Sequence, residues 1–394
     1  MRILIVHNAY GKYSGEEAVV ESIKRVLEKH HHEVRVFQRL SEEILNSFLG
    51  KAKGFIAGIY SRSGVLGLRK ALHEFKPDVV NVHNLFPLIS PAALFECKKV
   101  GVPVIMTVHN YRLICPTGLF MRQKQPCELC LEKGHEWNCI RYNCENSWGK
   151  SVGYAFRNYV ARKSKAFMEC VDIFSCITEF QRTKLIAAGF PKEKIYVNPN
   201  FYDIVSTQIP TYGQGEYVGY CGRLSEEKGL DLIFQAASDY PNIPFRFAGT
   251  GNTSELLRKA PNNCSFLGHL SGNDLNQFIR HARFMVLASK CYEGFPMAIL
   301  EAAANGKTCI APNHGGFCEI IGQGSTAIGK LFEPGNAKEL SSMIDTLWHE
   351  SEMNVQLAQM AYNKVAHEYS SNQYYNRFTE IYSQALKLRQ KSGH

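Results

Sequence analysis

The chain lacks any apolar run approaching the ~18 residues that span a bilayer, and its opening MRILIVHNAYGK holds too short an apolar stretch for an export signal. It lacks a Gly-x-Gly-x-x-Gly after its first apolar segment, which sets aside the dinucleotide fingerprint of hydride-transferring dehydrogenases. It has no basic run, no finger spacing with paired histidines and no basic–aromatic binding motif, so nucleic acid is not an expected partner. There is no repeat of solenoid period and no low-complexity segment. With no export signal the expected compartment is the reducing cytoplasm, where 13 cysteines read as thiols or metal ligands rather than as a disulfide framework.

What is present is ample core material. A chain of 394 residues, 45% hydrophobic and 21% charged, exceeds the roughly 250–300 residues at which single cores stop growing, so two domains are expected. Short β-branched runs alternate with helix-length amphipathic segments, the pattern of parallel sheets covered by helices. The first-half strands are expected at 2–7, 33–37, 78–83, 103–109, 172–177 and 194–199. The second half starts afresh with strands at 216–222, 244–249, 264–268, 283–289 and 307–312. A stretch rich in Pro, Gly, Asn and Tyr at 198–217 reads as the linker. The fold class is therefore α/β, two doubly wound Rossmann-like domains facing across a cleft. Residues 1–200 form an acceptor-side domain with a Cys-rich insert at 112–146, and 201–370 form the second domain. A final helix, 371–394, returns to the first. Ligands of open α/β sheets bind at the carboxyl ends of the strands, which directs attention to the strand-to-helix turns.

Charge is uneven. The first 200 residues carry 29 Lys and Arg against 18 Asp and Glu, whereas 201–394 carry 16 against 18. An excess confined to one half points to something anionic, a membrane surface or a phosphorylated acceptor, with a merely solvated basic surface as the alternative.

Two segments of the second half carry chemistry. In CYEGFPMAILEAAANG, 291–306, Pro296 suits a helix first turn, which places Glu293 in the turn before the helix and Glu301 inside it. The N–H groups around Gly294 and Phe295 face a ligand at a positive helix end, and the flanking carboxylates can accept pairs of sugar or ribose hydroxyls. In GRLSEEKGLDLIFQA, 222–236, Arg223 and Lys228 precede a helix and form a diphosphate clamp that needs no metal. Taken singly, each segment also reads as a capped helix with solvated charges.

Together with FAGTGN and APNHGGFCEII, these segments resemble, in order and spacing, the C-terminal domain of the retaining family-four glycosyltransferases of the GT-B fold. The resemblance extends over essentially the whole chain. It implies that Arg223 and Lys228 bind the donor diphosphate and stabilise the leaving group. It gives the ribose hydroxyls to Glu301, and hydroxyls of the transferred sugar to Glu293 with the amides of Gly294 and Phe295. In the first half, Gly11 and Gly15 lie in a segment resembling the family's glycine loop, with close backbone approach assigned to Gly15. His109 resembles the family's active-site histidine, and His83 is a second candidate beside it. The resemblance implies retention of configuration, no protein nucleophile and no catalytic cofactor. The expected partners are a nucleotide-diphosphate sugar, a saccharide or lipid-linked saccharide acceptor, and an anionic membrane surface, as in surface polysaccharide assembly. An epimerase of the same architecture and a non-catalytic sugar-nucleotide binding or zinc-dependent interaction protein remain as alternatives. A sugar phosphorylase would need a lysine-anchored cofactor, for which no motif is present.

The insert adds Cys115, Cys127, Cys130, Cys139 and Cys144. The spacing marks Cys127, Cys130, Cys139 and Cys144 as a candidate structural zinc set, with packing thiols or labile disulfides as the alternative. The run His30 to His32 reads as a solvated helix end.

Overall fold

The computed structural model describes residues 1–9, 15–41, 50–204, 210–251 and 257–391. It divides into two compact units. One contains Met1–Leu119, Glu128–Pro199 and Tyr375–His394, and the other Phe120–Cys127 and Asn200–Tyr374.

The first unit is built on a six-stranded parallel sheet of β1 (Arg2–Ala9), β2 (Glu33–Leu40), β3 (Val79–Asn84), β4 (Val104–Val108), β7 (Ile173–Cys176) and β8 (Ile195–Val197), in the order β2-β1-β3-β4-β7-β8. β3, β4 and β7 are buried throughout, as expected of strands covered on both faces by helices. The final helix, Ser371–Lys391, joins this unit from Tyr375 onward. Arg389 Nη1 meets Asp172 Oδ1 at 3.4 Å, and Tyr375 stacks on His30 with centroids 3.6 Å apart. His32 Nε2 lies 2.9 Å from the Tyr375 hydroxyl. His30 and His32 are thus packing groups for the returning helix, a correction to the solvated end that a polar run at a helix terminus suggests.

The second unit has β9 (Tyr217–Cys221), β10 (Phe245–Ala248), β11 (Cys264–Phe266), β12 (Ala282–Val286), β13 (Cys309–Pro312) and β14 (Gly329–Phe332), again all parallel. Their order is β11-β10-β9-β12-β13-β14. Chain direction across the sheet reverses between β9 and β12, and at such a switch point the turns leaving neighbouring strands splay apart and open a crevice. Tyr217, Phe245, Phe247, Phe284 and Phe332 fill its core.

Two features depart from the sequence expectation. β14 is short and was not anticipated. The insert sends a two-strand hairpin, β5 (Met121–Arg122) and β6 (Gln125–Pro126), into the second unit instead of lying wholly in the first. Phe120 is fully buried with its ring edge-on to Tyr292, and Lys124 Nζ pairs with Glu226 Oε1 at 2.6 Å.

Candidate functional site

The switch point of the second sheet gathers the four motifs. β9 runs into Gly222 and Arg223, and a single 3-10 turn, Glu226–Lys228, then leads into the helix Leu230–Asp239. Gly229 links turn and helix in the left-handed region (φ 67°), and a Cβ there would stand 1.9 Å from the Ala288 carbonyl oxygen. Only glycine allows the two strand-end turns to approach so closely. The FAGTGN segment is joined to the same turn by backbone bonds, Gly222 N–H to Ala248 O at 3.0 Å and Leu224 N–H to Thr250 O at 3.0 Å.

From β12 the chain passes Ser289 and Glu293 and enters the helix Met297–Ala304, with Pro296 at its N-cap. Lys228 Nζ donates to Glu293 Oε1 at 2.5 Å, and Ser289 Oγ donates to the same oxygen at 2.6 Å. The Ser289 carbonyl accepts from His314 Nε2 at 2.8 Å. The Gly316 amide donates to the Glu293 carbonyl at 2.9 Å, so the paired glycines of APNHGGFCEII hold the acidic turn by its backbone. Arg223 Nη2 pairs with Glu227 Oε1 at 3.0 Å while remaining 68% exposed in its side chain, which leaves the guanidinium accessible to a ligand.

The electrostatics follow from this packing. Burial pushes the Glu293 carboxyl up, but the Lys228 ammonium, the hydrogen bonds from Lys228 and Ser289, and the Arg223 charge outweigh it and hold the group below its ordinary range. Burial pulls Lys228 down, and Glu293 more than restores it, so Lys228 stays cationic. Among the described residues no cation lowers the Glu301 carboxyl. Burial raises its carboxyl to about 7, against a weak hydrogen bond from the Cys221 thiol, Sγ to Oε2 3.9 Å. Cys221 immediately precedes Gly222 and Arg223, so Glu301 opens on the same turn. Arg223, Lys228, Glu293 and Glu301 thus converge on one turn pair, with Gly294 and Phe295 in the loop between the two carboxylates.

In the first unit, His83 is the next-to-last residue of β3 and His109 follows β4. His83 Nδ1 lies 2.7 Å from His109 Nε2, their rings stacked with centroids 5.0 Å apart. His7, within β1, stands edge-on to His83 at 6.4 Å. Burial lowers all three, His7 to about 4 and His109 to about 3, and the mutual repulsion of these rings lowers His83 and His109 further, so the cluster is neutral at physiological pH. Inside an apolar strand, His7 gave no sequence signal beyond its residue type. Gly15 opens the helix Gly15–Lys29 and is exposed. Gly11 lies outside the described residues.

The thiols are grouped differently from the spacing expectation. Cys130 shares a hydrogen bond with Cys115 and Cys139 with Cys144, and these partners together with burial push the Cys130 and Cys139 thiols well up. Cys127 sits on the hairpin that belongs to the other unit. Among the described residues no three His, Cys, Asp or Glu groups are arranged around a metal position.

Comparison with known proteins follows the same division. Residues 203–364 match the family model described as glycosyl transferases group 1, and 13–205 match glycosyltransferase family 4. The chain is 25% identical over 285 residues to the sulfoquinovosyl transferase SQD2 of Arabidopsis thaliana, covering 71% of this chain and about half, 51%, of that one. It is 30% identical over 289 residues to the uncharacterized glycosyltransferase MJ1178 of Methanocaldococcus jannaschii, covering 72% and 68%. The crystal structure of Anabaena Alr3699/HepE in complex with UDP-glucose superposes with a TM-score of 0.67 over 97% of this chain and 99% of that one at 19% identity, a likeness of fold.

Proposed function

The chain belongs to the glycosyl transferases group 1, and we propose that it moves a hexose-type sugar from a nucleoside-diphosphate donor to a saccharide acceptor with retention of anomeric configuration. The observation that carries this reading is the meeting of Lys228, Glu293, Arg223 and Glu301 at the switch point of the second sheet. Two cations there neutralise the charge that grows on a departing diphosphate. Such preorganised electrostatics are commonly the largest part of catalysis, each donor contributing about 2–4 kcal/mol. Glu301 accepts the ribose hydroxyls, and Glu293 with the Gly294 and Phe295 amides accepts and donates to hydroxyls of the sugar. His109, held neutral, contacts the donor sugar as a hydrogen-bonding group rather than as a cation.

The acceptor is lipid-linked and is met at the cytosolic face of an anionic membrane. The basic surplus of the first half supports this, and among the described residues no helix is long and apolar enough to cross a membrane. A thermal-shift screen of nucleoside diphosphates and their sugars tests the donor assignment, since a ligand at a hundred times its dissociation constant adds roughly 2.7 kcal/mol. Stabilisation by UDP or GDP is expected, and indifference to every nucleotide would refute the assignment. Incubation with donor alone separates a transferase from an epimerase, which would convert the sugar with no acceptor present.

A further inference from the structure

The helix Trp148–Lys163 in the first unit is amphipathic in the inverted sense. Its inward face carries Ser151, Gly153, Ala155, Arg157 and Asn158, all buried. Arg157 Nη2 donates to the Pro116 carbonyl at 2.8 Å, and burial pulls its guanidinium down to about 9. Its outward face carries Trp148, 61% exposed, then Val152 and Phe156 at successive i+4 positions, 44% and 38% exposed. A helix on a water-facing surface does the opposite, turning charge outward and apolar groups inward.

The stripe continues on both sides. Phe156 stacks with Tyr159, whose ring lies 5.1 Å from that of Trp137, also exposed. On the other flank the helix Gly50–Ile59 brings the exposed Phe55 and Ile56 alongside, close enough that a Cβ on Gly153 would lie 2.6 Å from the Phe55 ring. Exposed cations border the patch. Lys150 lies between Trp148 and Val152 in the chain, and Lys163 Nζ stands 5.9 Å from the Tyr159 ring centre. A cavity of ≈ 410 Å³, lined in part by Leu113, Leu131, Phe167 and Lys163, adjoins the C-terminal end of the helix.

We infer that this face, centred on Trp148, Val152 and Phe156, is where the protein lies on an anionic lipid bilayer. Trp, Tyr and Phe favour the boundary between headgroups and acyl chains, and flanking Lys and Arg draw the surface toward acidic headgroups. The net positive first half supplies the matching long-range charge, which singles out a bilayer over a second copy of a chain that is itself cationic. The inference rests on the membrane-bound acceptor proposed above and names the surface that reaches it.

The test is co-sedimentation of the full chain with vesicles of phosphatidylcholine containing about 30 mol% phosphatidylglycerol, read together with tryptophan emission. Binding that weakens with salt and a blue shift of the emission are expected. The double variant Trp148→Ala/Phe156→Ala should lose roughly tenfold or more in vesicle affinity while keeping the wild-type unfolding temperature, because neither side chain is part of the core. No binding at low salt, or equal binding by the double variant, would overturn the assignment. So would a wild-type dimer that the variant dissolves without any vesicle binding. UDP stabilisation is measured on the same samples. Its persistence while vesicle binding fails would reject the surface and spare the transferase reading, and loss of both would reject both.

Discussion

Lys228 and Glu293 are 65 positions apart in the chain, yet their side chains share a hydrogen bond of 2.5 Å that ties the turn after β9 to the turn after β12. Each keeps the other charged. On the proposed donor role, an entering diphosphate would give Lys228 a second anion to neutralise and would leave Glu293 to accept a sugar hydroxyl.

Removing either member should therefore be costly for turnover. Lys228→Ala and Glu293→Ala are each expected to lower kcat about a hundredfold or more. Steady-state kinetics with the donor identified by the nucleotide screen checks this, and a loss under about threefold in either variant would remove the pair from the mechanism.

Glu301 provides a pH prediction. Its folded pKa of about 7 exceeds the ordinary 4.5, so between these values the folded state keeps a proton that the unfolded chain has released. Ionisation thus costs stability, and the cost appears as pH rises through that window. Glu301→Gln never ionises, so its melting temperature relative to wild type should be more favourable at pH 8 than at pH 5. An unchanged difference across the two pH values contradicts the burial argument. If ribose hydroxyls bind the ionised form, wild-type affinity for UDP also weakens below about pH 7, and the variant shows no such slope.

Gly229→Ala tests the closeness of the two turns. A methyl group at φ 67° that meets the Ala288 carbonyl cannot be accommodated without backbone movement. A loss of about 2 kcal/mol or more is expected in chemical denaturation, well beyond the ~1 kcal/mol of an unobstructed left-handed site. A smaller loss would mean that the turns part easily.

The thiols of the insert yield a stoichiometric prediction. Cys115 hydrogen-bonds with Cys130 and Cys139 with Cys144, four thiols that a zinc ion would have to draw together, since they do not surround one position as they stand. Protein grown with zinc and purified without chelator should carry close to one zinc per chain, and Cys127→Ser should retain it. Less than ~0.2 zinc per wild-type chain, or loss on replacing Cys127, would reject this set.

The periodicity of apolar runs sufficed for eleven of the twelve strands in the two large sheets, because most of these parallel strands are buried on both faces and read as short apolar segments bounded by turn residues. It missed β14, whose GKLF carries too few such residues to stand out. The meeting of Lys228 with Glu293 was foreshadowed by the order and spacing of the glycine-rich and charged turns, although each turn alone also reads as a capped helix. Three things were not legible, since each depends on distant partners: the proximity of His7 to His83, the stacking of His30 on Tyr375, and the grouping of Cys115 in place of Cys127. The inverted helix also escaped a reading that ranks residues by type, because Arg157 inside and Trp148 outside can be told apart only by where the chain packs.

The hairpin carrying Phe120 affects how the protein can be divided. A fragment cut at the apparent border, 200–374, would begin its life without the ring that shields Tyr292, one residue before Glu293. The second unit is therefore not separable at a single point in the gene. An expression trial of that fragment should yield a loosened acidic turn even if every residue of the sheet is present.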